Sequence, residues 1–417
     1  MSIARNNETL SLLSEHYVRL VLALGLHDAD YVDAYYGPPE WKAAVEREHP
    51  GLDEIAGRAG ALINGLRELS LADAEEMIML RHRYLLRQSE SLVVRVTMLK
   101  GKKRSFDEEA QALYDAVPPT LPEEHFAALL KNVGDILPGT GDVPARYQEY
   151  QKRFVIPKHL LDRVFGAAIA EGRRRTAEHI ALPEGDAFSL EYVTQKPWSG
   201  YNWYKGNGRS LIQMNVDFPI PIDRAVDLAC HEGYPGHHVY NSLLEQYLVR
   251  GRGWMEFSVY ALFSPQSLIA EGTANFGIEM AFPGKTRVEF EKEVLFPLAG
   301  LTPAEAEQYY EVHALVQRLA YAGNEAARRY LNGVISREEA ARWLQHYALM
   351  SPERSIQRTK FFDAYRSYVI NYNLGQDLVR GYIEAQGGTS DNPGRRWQIF
   401  AELLSSPRMP SQLHSVT

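Results

Sequence analysis

Apolar residues recur at three- and four-residue spacing along most of this 417-residue chain. This spacing places them on one face of an α-helix, because the helix has about 3.6 residues per turn. The pattern therefore predicts a mainly α protein. The segments that show it are 9–26, 122–137, 157–179, 224–249, 303–331 and 337–347.

A different pattern interrupts the helical one between residues 188 and 215. The segments 188–193 and 209–215 alternate or cluster residues that favour β-strands, on either side of a glycine-containing stretch. We expect a small β-sheet here, with an edge strand that could pair with an extended peptide. The aromatic residues between the two strands are expected in a turn that either lines a pocket or packs over a loop. They are Trp198, Tyr201, Trp203 and Tyr204.

Charge and composition argue against two classes of partner. The formal net charge is −8, whereas a nucleic-acid-binding surface needs basic residues for its phosphate contacts. The first ten residues lack an apolar secretory segment, and no uncharged apolar stretch is long enough to span a membrane. The single cysteine, Cys230, cannot form an internal disulfide. We therefore expect a soluble, cytoplasmic protein with neither a nucleic-acid nor a membrane partner.

The most informative polar cluster is the sequence HEGYPGHH, which runs from His231 to His238. Imidazole nitrogens and carboxylate oxygens are typical ligands of Zn2+. A Glu directly after a ligand His is the usual position of a base that acts on metal-bound water. The cluster therefore predicts a metal site with His231 as a ligand and Glu232 as the general base.

The spacing of these histidines differs from the HExxH signature, whose two His ligands stand at i and i+4 on one helical face. In an unbroken helix His237 would lie about 240° round from His231, and His238 would lie about 10.5 Å farther along. Pro235 and Gly236 favour a break or bulge, since proline clashes with the preceding turn and glycine tolerates positive φ. Such a break can return His237, or alternatively His238, to the side of His231. We assign His237 as the second ligand.

A third ligand is expected from a helix that begins at Ser264 and Pro265, two residue types that are typical of a helix start. Apolar residues bury one flank of this helix. Glu271 lies among them, and a carboxylate in an apolar setting requires a strong partner. We assign Glu271 as the third ligand and retain Glu279, two turns farther on, as the competing carboxylate.

Two His and one Glu leave the fourth position of a tetrahedral zinc open for water, which is the arrangement of a catalytic site. We expect a zinc-dependent hydrolase that cleaves a peptide or small amide, with Glu232 passing the proton to the leaving amine. The same site would also suit a non-peptide amide or ester hydrolase, or another metal-dependent biosynthetic enzyme. A third hypothesis is a metal-stabilised scaffold without catalysis, in which a fourth protein ligand such as His238 closes the site.

Three motifs carry a family resemblance: HEGYPGHH at 231–238, AEGTANFGIEM at 270–280 and YVINYNLGQDLVRGYI at 368–383. Together they resemble the bacterial domain of unknown function 885 family, over roughly residues 185 to 385. The resemblance implies a mostly helical, zinc-metallopeptidase-like fold in which the third ligand is a Glu. Tyr372 stands in the family's Tyr-x-x-Gly-Gln element, and the resemblance implies that it reaches the substrate.

Hydrolysis also requires a donor for the oxyanion. We expect Tyr372 in this role, and other candidates remain in the C-terminal third of the chain. These are Tyr368, Arg366, His313 and Arg318.

A segment with Pro183 and Gly185 divides the chain. We expect an N-terminal helical region at 1–182 and a metal-binding catalytic region at 183–417, as parts of one compact body.

Overall fold

The computed structural model describes residues 2–71 and 74–413. The described chain is mainly α-helical with two small β-sheets, which confirms the predicted fold class. No helix in these two ranges is both long enough and apolar enough to cross a membrane. The helices are α1 (Ser2–Gly25), α2 (Pro39–Glu48), α3 (Leu52–Glu68), α4 (Glu76–Leu99), α5 (Phe106–Tyr114), α6 (Glu123–Ile136), α7 (Val143–Lys152), α8 (Leu161–Ala177), α9 (Asp223–Leu228), α10 (His237–Leu243), α11 (Pro265–Ala281), α12 (Lys285–Phe290), α13 (Phe296–Leu298), α14 (Ala306–Gln317), α15 (Ala322–Leu331), α16 (Arg337–Tyr347), α17 (Pro352–Tyr365), α18 (Ile370–Ala385) and α19 (Pro393–Leu404). The strands are β1 (Val32–Tyr35), β2 (Ala187–Val193), β3 (Gly200–Gly206), β4 (Arg209–Asn215) and β5 (Val259–Ala261).

Several predicted helices form near their predicted bounds. The segment 337–347 coincides with α16, and 122–137 differs from α6 by one residue at each end. A capping box starts α16: Ser336 accepts a hydrogen bond from the backbone N–H of Glu339, whose carboxylate accepts one from the N–H of Ser336. The segment 303–331 is not one helix but two, α14 and α15, because the backbone forms turns at 318–321.

The predicted small sheet forms, and it has three strands in the order β2-β4-β3. Strand β2 is parallel to β4, and β3 is antiparallel to it. The aromatic segment that the sequence predicts as a turn is instead the edge strand β3, with only Trp198 outside it. Asn202 and Tyr204 face inward while Tyr201 and Trp203 are partly exposed. Because aromatic residues occupy both faces, the sequence lacks the apolar–polar alternation that marks a strand.

A second sheet joins the N-terminal region to the segment that precedes α11. Strand β1, from the N-terminal region, pairs antiparallel with β5, which directly precedes α11. The N-terminal region therefore contributes backbone next to the helix that carries Glu271. The boundary between residues 182 and 183 stays a prediction.

Helices α11 and α18 cross closely at two glycines. A Cβ added at Gly272 would lie 2.5 Å from the carbonyl carbon of Gly375, and one added at Gly375 would lie 2.7 Å from the carbonyl oxygen of Leu268. Both distances are shorter than any stable contact, so the crossing requires glycine on both helices. The close approach sets Glu271, which precedes Gly272, beside the C-terminal tyrosines.

Candidate metal centre

The helical path through HEGYPGHH breaks where the proline and glycine predict. After α9 the chain forms one wide π-helical turn, Ala229–Gly233, and α10 begins at His237. The peptide bond before Pro235 is cis. Gly236 donates its N–H to the carbonyl of Cys230 at 2.9 Å, and a Cβ at Gly236 would lie 1.9 Å from the carbonyl oxygen of His231. Only glycine fits this path, which returns His237 to the side of His231.

The structure brings His231, His237 and Glu271 together. The two Nε2 atoms lie 3.2 Å apart, and Oε2 of Glu271 lies 3.2 Å from Nε2 of His231 and 3.6 Å from Nε2 of His237. Zinc–ligand bonds of about 2.0–2.2 Å at tetrahedral angles require ligand separations of about 3.3–3.6 Å. The three atoms therefore have the spacing of one face of a zinc tetrahedron, and they form a group that could hold a metal ion.

Glu271 presents one carboxylate oxygen to the histidines. Its Oε1 accepts a hydrogen bond of 2.7 Å from the Tyr368 hydroxyl, while the buried Oε2 accepts no hydrogen bond. Burial raises the pKa of Glu271, but the adjacent His237 and His231 outweigh burial and hold that pKa well below its usual range. A buried anionic oxygen without a donor, aimed at two imidazoles, fits a cation bound between them.

Asn275 fixes the tautomer of His231. Its amide Nδ2 donates to the carbonyl oxygen of Tyr372 at 2.9 Å, so its Oδ1 faces Nδ1 of His231, also at 2.9 Å. An oxygen there requires the proton on Nδ1 and leaves the lone pair on Nε2, the atom that faces His237 and Glu271. Metal-binding histidines commonly have such a partner on the second nitrogen. Asn275 was not among the residues predicted from the sequence, although it lies one helical turn after Glu271.

Glu232 lies beside this group without belonging to it. Its side chain is buried and lines the cavity next to the three converging residues. In the part of the chain that the structure describes, no group donates a hydrogen bond to its carboxylate. Burial raises its pKa to about 7, with a further rise from Glu271 and an opposing effect of His237. Gly200 leaves room here, because a Cβ on it would lie 2.7 Å from Oε1 of Glu232.

His238 points away from the candidate ligands. It is fully buried, with Nε2 at 2.7 Å from Asp186 and Nδ1 at 2.8 Å from the Ser210 hydroxyl. Both ring nitrogens therefore have partners on the side of the three-stranded sheet. Glu279 lies apart as well, paired with Arg380 at 3.0 Å and with Arg396.

The candidate oxyanion donors are scattered. Tyr372 lines the cavity, with its ring centroid 6.4 Å from that of His231, and burial raises its pKa well above the usual range. The Tyr368 hydroxyl is committed to Glu271. Arg366 instead pairs with Glu109 at 2.7 Å, and Arg318 is exposed.

His313 belongs to a second group of possible metal-binding residues, with Asp223 and Asp227. Its Nε2 lies 3.3 Å from Oδ2 of Asp223. Arg224 and Arg287 already pair with Asp227, at 3.2 and 2.9 Å. Since these guanidinium groups supply the positive charge, we assign no metal to this group.

The candidate ligands open onto a cavity of about 550 Å³. Two of its charged residues were not predicted from the sequence. Asp33, from strand β1, is partly buried, accepts a hydrogen bond from the Tyr201 hydroxyl, and has a pKa that burial raises to about 6. Arg358, from α17, lies on the wall beyond Tyr372. Neither has a local sequence signal, because only the tertiary fold brings them to the histidines.

The sequence matches no protein-family model and no curated protein. Among solved structures, a candidate lipoprotein from Colwellia psychrerythraea is similar, with a TM-score of 0.55 and 14% identity over 87% of this chain and 68% of that one. A candidate lipoprotein of unknown function from Shewanella oneidensis has a TM-score of 0.48 and 12% identity, over 89% and 74% of the two chains. An M32 carboxypeptidase from Deinococcus radiodurans R1 has a TM-score of 0.37 and 13% identity, over 100% and 93%. The first likeness shows a shared fold, and the other two are too distant to support a conclusion about function.

Proposed function

We propose that this protein is a zinc-dependent hydrolase of the metallopeptidase type, acting on a peptide or small amide. The observation that carries the proposal is the convergence of His231, His237 and Glu271 on one point, with the carboxylate of Glu232 beside it in a cavity. Two imidazoles and one carboxylate suit zinc and leave a fourth coordination position open. We further propose, from its three motifs, that the chain belongs to the domain of unknown function 885 family.

The residues of the chain have distinct roles in this proposal. His231, His237 and Glu271 hold the metal, which supplies Lewis-acid polarisation of the scissile carbonyl and activation of a water. Glu232 accepts the proton of the attacking water and returns it to the leaving amine. Tyr372 donates a hydrogen bond to the oxygen that gains charge, since its raised pKa keeps its hydroxyl protonated at neutral pH.

The scaffold hypothesis has less support than catalysis. It requires a fourth protein ligand, and His238, the candidate for that position, has both ring nitrogens engaged by Asp186 and Ser210. The cavity beside the metal ligands favours a substrate instead. Hydrolysis of a non-peptide amide or ester remains the second candidate function, because the same residues would support it. The cytoplasm, which agrees with one buried free cysteine, stays the proposed location.

Metal analysis combined with a substrate screen tests the proposal. We expect close to one zinc per chain after purification or reconstitution, and hydrolysis of members of a panel of short peptides. Activity on acylated amines or esters but on no peptide would favour the second candidate. A protein that binds no zinc on titration would reject the metal site altogether.

A further inference from the structure

Arg358 is a cationic residue of the cavity wall that the proposed mechanism does not use. It lies on α17, and its guanidinium carbon is 4.5 Å from the ring centroid of Phe361 and 5.9 Å from that of Tyr372. The Tyr372 ring is in turn 6.4 Å from the His231 ring. Arg358 is therefore separated from the candidate metal ligands by one aromatic side chain.

The described part of the chain provides no counterion for Arg358. Its Nε is buried without a hydrogen-bond acceptor, and none of its nitrogens forms an ion pair with a described residue. The guanidinium group of Arg354, one turn earlier on the same helix, donates to the carbonyl oxygen of Pro219 at 3.2 Å and to no described carboxylate. Two like charges at i and i+4 disfavour each other, and a desolvated guanidinium without an anion is costly. This face of α17 is therefore arranged for an anion that the described residues do not supply.

We propose that Arg358 binds the α-carboxylate of a peptide substrate, so that the protein removes residues from the carboxyl end of peptides. This inference rests on the proposed peptidase function and specifies its substrate. A guanidinium matches a carboxylate in both charge and bidentate geometry. The contacts of 5.9 and 6.4 Å through Tyr372 place Arg358 within about 12 Å of the His231 ring, a separation of no more than three or four residues of extended peptide at about 3.3–3.6 Å each.

The other charges that line the cavity agree with this assignment. Asp33 and Glu232 are acids of the lining, and Arg224 of the same lining is paired with Asp227 at 3.2 Å. A substrate carboxylate beside Asp33 or Glu232 would meet like charge, whereas one at α17 meets the complementary charge of Arg354 and Arg358.

The first test compares alanyl-phenylalanine with its C-terminal amide as substrates, since the two differ only in the anion. We expect the parent protein to prefer the free acid by roughly 10- to 100-fold in kcat/KM, the value of a charged hydrogen bond. Arg358→Gln should lower kcat/KM for the acid by that factor and leave the amide unchanged, and Arg358→Lys should restore part of the preference. Arg342→Gln, on the exposed face of α16, is the control and should retain the preference.

The second test measures binding without turnover. Titration calorimetry with N-acetyl-phenylalanine and N-acetyl-phenylalaninamide, before and after chelation of metal, separates a carboxylate bound to Arg358 from one bound to the metal. We expect acid-selective binding that survives chelation and weakens roughly 10- to 100-fold in Arg358→Gln. Equal affinity for acid and amide in the parent overturns the inference, as does equal hydrolysis of the two peptides. Acid-selective binding through Arg358 without hydrolysis of either peptide instead rejects the proposed peptidase function and leaves the carboxylate site standing.

Discussion

At the scale of single residues, Glu232 should be separable from the metal ligands. Replacing Glu232 with Gln keeps its shape and removes its basicity, so we expect metal content and folding to persist while turnover falls by roughly two to four powers of ten. Metal analysis and kcat on an identified peptide measure the two effects. Full activity in Glu232→Gln would exclude it as the base, and loss of metal would make it a ligand.

The two carboxylates of α11 provide a matched pair. Glu271→Gln removes the anion that faces His231 and His237, so we expect zinc affinity to fall by at least tenfold. Glu279→Gln should retain the affinity of the parent, because Glu279 pairs with Arg380 and Arg396. A competitive zinc chelator titrated against each variant gives the affinities. The reverse order of the two variants would identify Glu279 as the ligand.

Substitutions at the adjacent His237 and His238 should have different effects, one on zinc binding and the other on the stability of the fold. His237→Ala removes a proposed ligand and should abolish stoichiometric zinc binding. Its effect on the free energy of unfolding of the metal-free protein should be smaller than that of His238→Ala. His238→Ala should keep the zinc but lower the free energy of unfolding by about 1–3 kcal/mol, because Asp186 and Ser210 lose a buried partner. Denaturant unfolding of chelated protein and zinc analysis distinguish them. Zinc lost from His238→Ala but retained by His237→Ala would reverse the assignment.

The sequence predicts the grouping of His231, His237 and Glu271 because two of them lie within one motif and the third lies in an apolar helix. The break at Pro235 follows from backbone chemistry alone. Asp33 and Arg358 could not be found in this way. Each contributes one side chain from an element that is distant in sequence from the histidine motif at 231–238. No spacing pattern relates such a residue to that motif.

At the scale of elements, the crossing of α11 and α18 should control the geometry of the candidate site. Gly272→Ala places a Cβ 2.5 Å from the backbone of Gly375, so the helices must separate, at a cost of about 1–3 kcal/mol. Because Glu271 precedes this contact, zinc affinity should fall as well. Gly381→Ala on the same α18 is the control: no atom lies within 4 Å of the added Cβ, and alanine favours a helix by up to about 1 kcal/mol. Thermal unfolding and zinc titration of both variants test the difference.

The presence of a helix was easier to predict than the point where one helix ends and the next begins. The amphipathic pattern correctly marks 122–137 and 337–347, because each helix buries one apolar face, and a capping box also starts the second. In 224–249 the same pattern spans α9, two π-helical segments and α10, because a wide turn preserves an apolar face while it changes the hydrogen bonding. Strand β3 was not predicted, since its aromatic residues contact neighbours on both faces.

At the scale of the whole molecule, buried polar contacts link the N-terminal helices to the candidate site. Arg81 of α4 donates to both oxygens of Glu256, at 2.5 and 3.0 Å, and Ser14 of α1 donates to the same carboxylate at 2.6 Å. The side chains of Arg81 and Glu256 are 2% and 0% exposed. Glu256 lies just before β5, whose Tyr260 lines the cavity. The buried ion pair of Arg81 and Glu256 therefore joins the two predicted regions, because each charge would be buried without a counterion if its partner were removed.

This connection predicts how the molecule unfolds. Arg81→Met leaves Glu256 buried without its cation, so we expect a loss of about 3–5 kcal/mol in the free energy of unfolding. If 1–182 and 183–417 fold as one body, the loss should appear in a single transition that also releases the metal. Arg67→Gln, which removes an exposed partner of Glu90, is the control and should change stability by less than about 1 kcal/mol. Denaturant unfolding followed by both tryptophan fluorescence and zinc release measures the coupling. If Arg81→Met instead produced an early transition that left the zinc bound, the candidate site would belong to a domain that folds independently of the N-terminal helices.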